Sequence, residues 1–113
     1  MYHYAARMTK VTDGDTLRLD IDLGLSVWMT KQSVRLYGVN CPEMGTPEGL
    51  AAKQFVLEYF GGLNVPCTIT TLKDASEKYG RWLVVVRRGT AKVSDPTLNE
   101  ILVQSGHAVG YYP

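Results

Sequence analysis

From Leu17 to Leu23 the chain alternates without a break: Leu17, Leu19, Ile21 and Leu23 are apolar, while Arg18, Asp20 and Asp22 are charged. A period of two gives one dry face and one wet face only on an extended strand; on a helix these side chains would scatter around the axis. Turn residues bound the segment, Asp13-Gly14 before it and Gly24 just after it. The flanking residues 5–12 and 26–39 are rich in Val, Leu, Thr and Tyr, so strands are expected at 5–12, 16–23 and 26–39. Three strands joined by short turns form a curved antiparallel meander.

The pattern then changes period. Thr46-Pro47-Glu48 supplies an oxygen cap, a proline where its missing N–H costs nothing, and an acid near the positive end of a helix dipole. Ala51, Ala52, Phe55, Val56, Tyr59 and Phe60 recur at helical spacing until Gly61-Gly62. That apolar face is expected to lie across the open end of the sheet. Two more strands are expected at 65–72 and 81–88, followed by a short helix at 97–104 closed by Gly106. Five strands with a helix between the third and fourth is the order of an OB-fold, a five-stranded Greek-key β-barrel with helices. At 113 residues, 45% hydrophobic and 20% charged, the chain is long enough for one core and is expected to be a single domain over residues 1–113.

The longest apolar run, residues 82–86, is far too short to cross a membrane, and the first residues carry no apolar signal core. A cytoplasmic monomer with no membrane partner is expected. Twelve Lys and Arg against eleven Asp and Glu give a net charge of +1, so a nucleic acid would have to be held by a local basic site. Cys41 and Cys67 make neither a metal-binding pattern nor a disulfide frame, and both are expected to be free thiols.

The densest chemistry is Arg35 to Glu43, RLYGVNCPE, which offers a guanidinium, a carboxamide and a carboxylate at the end of the third strand. Asp13-Gly14-Asp15-Thr16 adds two carboxylates on a turn, and Glu77-Lys78-Tyr79-Gly80-Arg81 a second guanidinium. Planar arginine forks grip a phosphate bidentately and stay charged at any working pH, and clustered oxygens suit a hard divalent cation. Each element has a plainer reading: hairpin-turn acids for Asp13 and Asp15, a first-turn helix acid for Glu43, strand charges for Arg35 and Arg81. His3 and His107 have no partners at metal or triad spacing.

The order DGDT, RLYGVNCPE, TPEGLAAKQFV, EKYGR and LNEILVQSGHA resembles the staphylococcal nuclease (thermonuclease) family over nearly the whole chain. The resemblance implies an OB barrel and calcium-dependent hydrolysis of DNA and RNA to products ending in 3′-phosphate. It assigns metal binding to Asp15, Asn40 and the main-chain carbonyl of Cys41, phosphate contacts to Arg35 and Arg81, and orientation or deprotonation of the attacking water to Glu43. It puts Lys78 and Tyr79 near the nucleotide phosphate and Tyr111 or Tyr112 beside the base. Asn40 stands where the family's pattern carries aspartate; a carboxamide oxygen still coordinates calcium but brings no charge. The alternative is an OB-fold module that binds nucleic acid or protein without chemistry.

Overall fold

The computed structural model describes residues 2–76, 81–89 and 95–110. Strands β1 (Tyr2–Asp13), β2 (Thr16–Asp22), β3 (Trp28–Leu36), β5 (Val65–Ser76) and β6 (Trp82–Arg88) close a barrel in the order β1-β2-β3-β6-β5, with β5 returning to β1. All neighbours are antiparallel except β3 and β6. This mixed five-stranded barrel, carrying α1 (Pro47–Phe60) and α2 (Leu98–Gln104), is OB-fold-like, as the strand and helix order predicts. Its inside is filled by the inward members of the alternating strands, among them Met8, Leu17, Leu19, Val34, Leu36, Ile69, Val84 and Val86, all fully buried. Each such side chain taken out of water contributes about 1.5–3 kcal/mol.

β1 runs longer than its composition indicates because it serves two neighbours. Tyr2 to Met8 pair with β5 and Ala6 to Asp13 with β2, and bulges after Met8 and Val11 bend the strand between them.

α1 starts where expected. The Thr46 hydroxyl accepts from the Gly49 amide and Gly61 ends the helix in the left-handed region at φ 75°. Its buried face, Gly49, Ala52, Val56 and Phe60, plugs the end of the barrel beside the β1–β2 turn. The opposite mouth is open, a pocket of about 390 Å³ lined by Tyr2, Tyr4, Leu23, Met29 and Trp82 among others.

One expectation is corrected. Residues 26–39 are not a single strand: β3 stops at Leu36, the chain turns through Gly38 at φ 78°, and residues Val39–Asn40 form β4. β4 pairs with β7 (Val109–Gly110) in a small separate sheet. A non-glycine residue at Gly38 would be strained, and the turn it permits swings Asn40 back toward Arg35.

α2 opens with a capping box between Thr97 and Glu100. Its Asn99 does unusual work: Nδ2 donates to the carbonyls of Tyr37 (2.8 Å) and Val84 (3.1 Å), and Oδ1 accepts from the Val86 amide (3.1 Å). The parallel seam spans only three registered pairs, Val34 with Trp82 to Leu36 with Val84. Beyond it the Tyr37 amide still reaches the Val84 carbonyl (2.8 Å), and the buried carboxamide then takes the place of a strand neighbour for β6 by accepting from the Val86 amide. Cys41 and Cys67 are free and buried.

Candidate active site

The β1–β2 turn and the β3–β4 turn meet on the outside of the barrel. Asp15 is buried, and its carboxylate is held from three sides: Oδ2 accepts from the Cys41 amide (3.0 Å), Oδ1 from the Thr16 hydroxyl (3.3 Å), and Arg35 Nη2 stands 3.7 Å from Oδ2. The turn can come this close because Gly14 lacks a side chain. A Cβ there would lie 2.8 Å from both Cys41 Sγ and Ala52 Cβ.

Arg35 is oriented by the turn it belongs to. Nη1 donates to the carbonyls of Leu36 (3.2 Å) and Val39 (3.0 Å), and Nη2 to Asn40 Oδ1 (3.3 Å). A guanidinium has five donors. Three are engaged here, which leaves Nε and one Nη2 proton without a hydrogen-bond acceptor among the described residues. Arg81 reaches the same place from the start of β6, its Nη1 donating to Thr16 Oγ1 at 3.2 Å. The Thr16 hydroxyl thus accepts a hydrogen bond from Arg81 and donates one to Asp15, and its cross-strand partner is Arg35.

Asp13 accepts the Asp15 amide at 3.2 Å. Burial, then the hydrogen bond to and charge of Asp15, push its carboxyl up to about 6. Burial, with the charges of Asp15 and Asp13, pushes the Cys41 thiol up to about 12, so this side chain is a neutral packing group.

Among the described residues no group of three or more His, Cys, Asp or Glu forms a metal cluster. The donors present are oxygens, namely the Asp13 and Asp15 carboxylates and the Asn40 carboxamide, the last two sharing Arg35 Nη2. Oxygen donors are the type a hard cation takes, with waters or phosphate oxygens completing its shell; here the Asp15 and Asn40 oxygens already accept from the Cys41 amide, the Thr16 hydroxyl and Arg35.

Glu43 lies three residues beyond Asn40 on an exposed turn. Its carbonyl accepts from the Thr46 amide (3.3 Å) and hydroxyl (2.7 Å), while its side chain has no hydrogen-bond or ion-pair partner among the described residues. The turn rests on the first turn of α1 at Gly49, where a Cβ would collide with the Glu43 carbonyl oxygen.

Asp15, Arg35, Asn40 and Cys41 therefore touch one another, and Arg81 joins them through Thr16. Glu43 adjoins the group through the main chain alone. Lys78, Tyr79, Tyr111 and Tyr112 lie outside the described residues. Sequence reasoning assigned nothing to Thr16, Gly49 or Asn99. Gly49 carried a readable signal, since a glycine in the first turn of a helix is a poor helix former and asks for a packing reason. His3 bonds Thr70 Oγ1 at 2.8 Å and His107 stacks on Phe55 with ring centres 4.6 Å apart, so both have structural partners.

No protein-family model matches the chain, and no curated protein matches it.

Proposed function

We propose that this protein is a metal-dependent phosphodiesterase of the staphylococcal nuclease family, hydrolysing DNA and RNA to 3′-phosphate products. The observation that carries this reading is the Arg35 guanidinium, locked by two main-chain carbonyls and Asn40 with two donors left over, beside a buried carboxylate and a second guanidinium. Structural arginines commonly exhaust their donors. Here the orientation is fixed in advance, and an anion would take Nε, which has no acceptor among the described residues, and the Nη2 edge that faces Asp15 Oδ2 at 3.7 Å.

In-line attack on a phosphodiester builds charge on the non-bridging and leaving oxygens. Arg35 and Arg81 neutralise that charge as it forms, and because Arg35 is already held by the backbone, little reorganisation accompanies the reaction. Glu43, solvent-exposed and without a side-chain partner among the described residues, orients water or takes its proton. A calcium ion held by Asp15, Asn40 and the Cys41 carbonyl would polarise one phosphate oxygen. Asp13 adds negative charge to that corner, which partly offsets the neutral side chain at position 40.

The test is digestion of heat-denatured DNA and of RNA by purified protein with calcium, magnesium or chelator. Calcium-dependent products bearing 3′-phosphates are expected. Intact substrate, with oligonucleotide still bound, would make the protein a binding module instead.

A further inference from the structure

β1 carries an extra residue where it passes the candidate site. Met8 pairs with Leu19 on the inside of the barrel, but the next registered pair is Lys10 with Arg18, then Val11 with Leu17. A regular ladder would set Thr9 opposite Arg18 and turn Lys10 inward against Leu17. The bulge, braced by the Thr9 hydroxyl on the Arg18 carbonyl at 3.1 Å, instead puts Lys10 on the outer face directly opposite Arg18. Like charges directly opposite on a sheet are destabilising. Both side chains are exposed, and neither has an acidic partner among the described residues.

Arg18 lies on the same face of β2 as Thr16, two residues further along. Thr16 is the residue that faces Arg35 and receives Arg81. Two residues of strand span about 7 Å, a length comparable to that between successive phosphates of an extended single strand. The next outward residue is Asp20, whose Oδ1 is taken by the Lys31 amide, and then Asp22. The cationic stretch therefore ends after one step, and beyond it the face turns acidic.

We propose that Lys10 and Arg18 form a second phosphate subsite, holding the backbone phosphate next to the one gripped by Arg35 and Arg81, so that the substrate is recognised as a polynucleotide strand. This rests on the phosphodiester reading of the neighbouring site. Acidic residues beyond Arg18 limit the contact to a single further phosphate and send the strand away from the barrel.

The test compares a short single-stranded oligothymidylate with thymidine 5′-monophosphate, titrated by fluorescence or calorimetry in chelator so that nothing is cleaved. In Lys10→Ser/Arg18→Ser, oligonucleotide affinity is expected to fall about tenfold and the slope of log affinity against log salt to shrink by about 0.7. Mononucleotide affinity should be unchanged, and the melting curve likewise, since both residues are exposed. Equal oligonucleotide affinity and slope in the double variant, with Arg35→Lys weakening both ligands, would overturn the subsite while sparing the phosphodiester reading. Loss of mononucleotide binding in the double variant would also overturn it, by showing that the pair acts on the first phosphate. A wild-type protein that binds neither ligand would overturn both.

Discussion

At one end of β2 the chain buries Asp15 and Thr16 and gives the Asp15 carboxylate the Cys41 amide, the Thr16 hydroxyl and Arg35. At the other end it leaves Leu25 99% exposed and puts Leu25 and Ser26 in the left-handed region at φ 55° and 64°. The tip is closed by its own backbone, Leu23 amide to Val27 carbonyl (2.8 Å) and Val27 amide to Gly24 carbonyl (2.9 Å). One turn is polar and buried; the other is apolar and exposed. Burying an unpartnered carboxylate is costly, so acids normally go to turn surfaces. Where a turn buries one with every partner supplied, the surrounding structure is arranged around that carboxylate. The exposed tip, by contrast, only connects two strands, and its left-handed leucine costs roughly 1–2 kcal/mol.

The contrast breaks first at Arg35. Arg35→Lys removes the planar fork that touches Leu36, Val39 and Asn40, and turnover is expected to fall about 10²–10³-fold. Lysine also cannot span both carbonyls, so about 1–3 kcal/mol of stability should go with it, readable in a urea melt. Activity within a few fold of wild type would mean the guanidinium is purely structural.

Gly14→Ala comes next. Its Cβ would press on Cys41 Sγ and Ala52 Cβ at 2.8 Å, which should cost about 1–3 kcal/mol and displace Asp15. Denaturation and cleavage rates should drop together; a silent alanine would show that the turn tolerates looser closure than its geometry implies.

Asn40→Asp sharpens the picture of the metal corner. A second carboxylate beside Arg35 Nη2 should tighten calcium by about 1–3 kcal/mol, roughly one to two orders of magnitude. Titration calorimetry that finds an unchanged affinity would remove residue 40 from the ligand set.

A smaller effect is expected at Asp13, whose carboxyl is raised from 3.8 to about 6 in the fold. The native state then binds more protons than the unfolded chain between those values, so this stabilisation is complete below about pH 4 and is lost as pH rises through about 6. Asp13→Asn should flatten that decline, seen by comparing melts at acid and neutral pH. Identical pH slopes for the two proteins would mean that Asp13 titrates normally. Least of all should happen at the tip: Leu25→Asn suits the left-handed backbone, is expected to gain up to about 1 kcal/mol, and should leave cleavage untouched. A change in turnover there would erase the distinction between the two turns.

Much of this was legible from residue order. Alternation in β2 and the Thr46 cap with Gly61 stop mark a strand and a helix through short-range physics, and the barrel order follows from their sequence. Arg35, Asn40 and Asp15 stood out as chemistry. What stayed hidden depended on distant partners: the pairing of β4 with β7 and the bulge that re-aims Lys10 have no local signature distinguishing them from continuous strand, whereas the break after Leu36 had one in Gly38, a glycine inside a strand pattern. Asn99 read as an ordinary helix residue because its carboxamide answers backbone groups on β6 and at Tyr37.

The short parallel seam sets an order in time. β1, β2 and β3 join through neighbouring hairpins, and β5 with β6 likewise, whereas Val34–Leu36 and Trp82–Val84, like β1 and β5, pair across a long stretch of chain. Loop-closure entropy makes that join a late step in folding. With only three registered pairs and one asparagine behind it, the same join is the first place for the barrel to part. Amides along β6 near Val84 and Val86 should then exchange with solvent sooner than those of β2, and the barrel breathes along its seam while its meander stays shut.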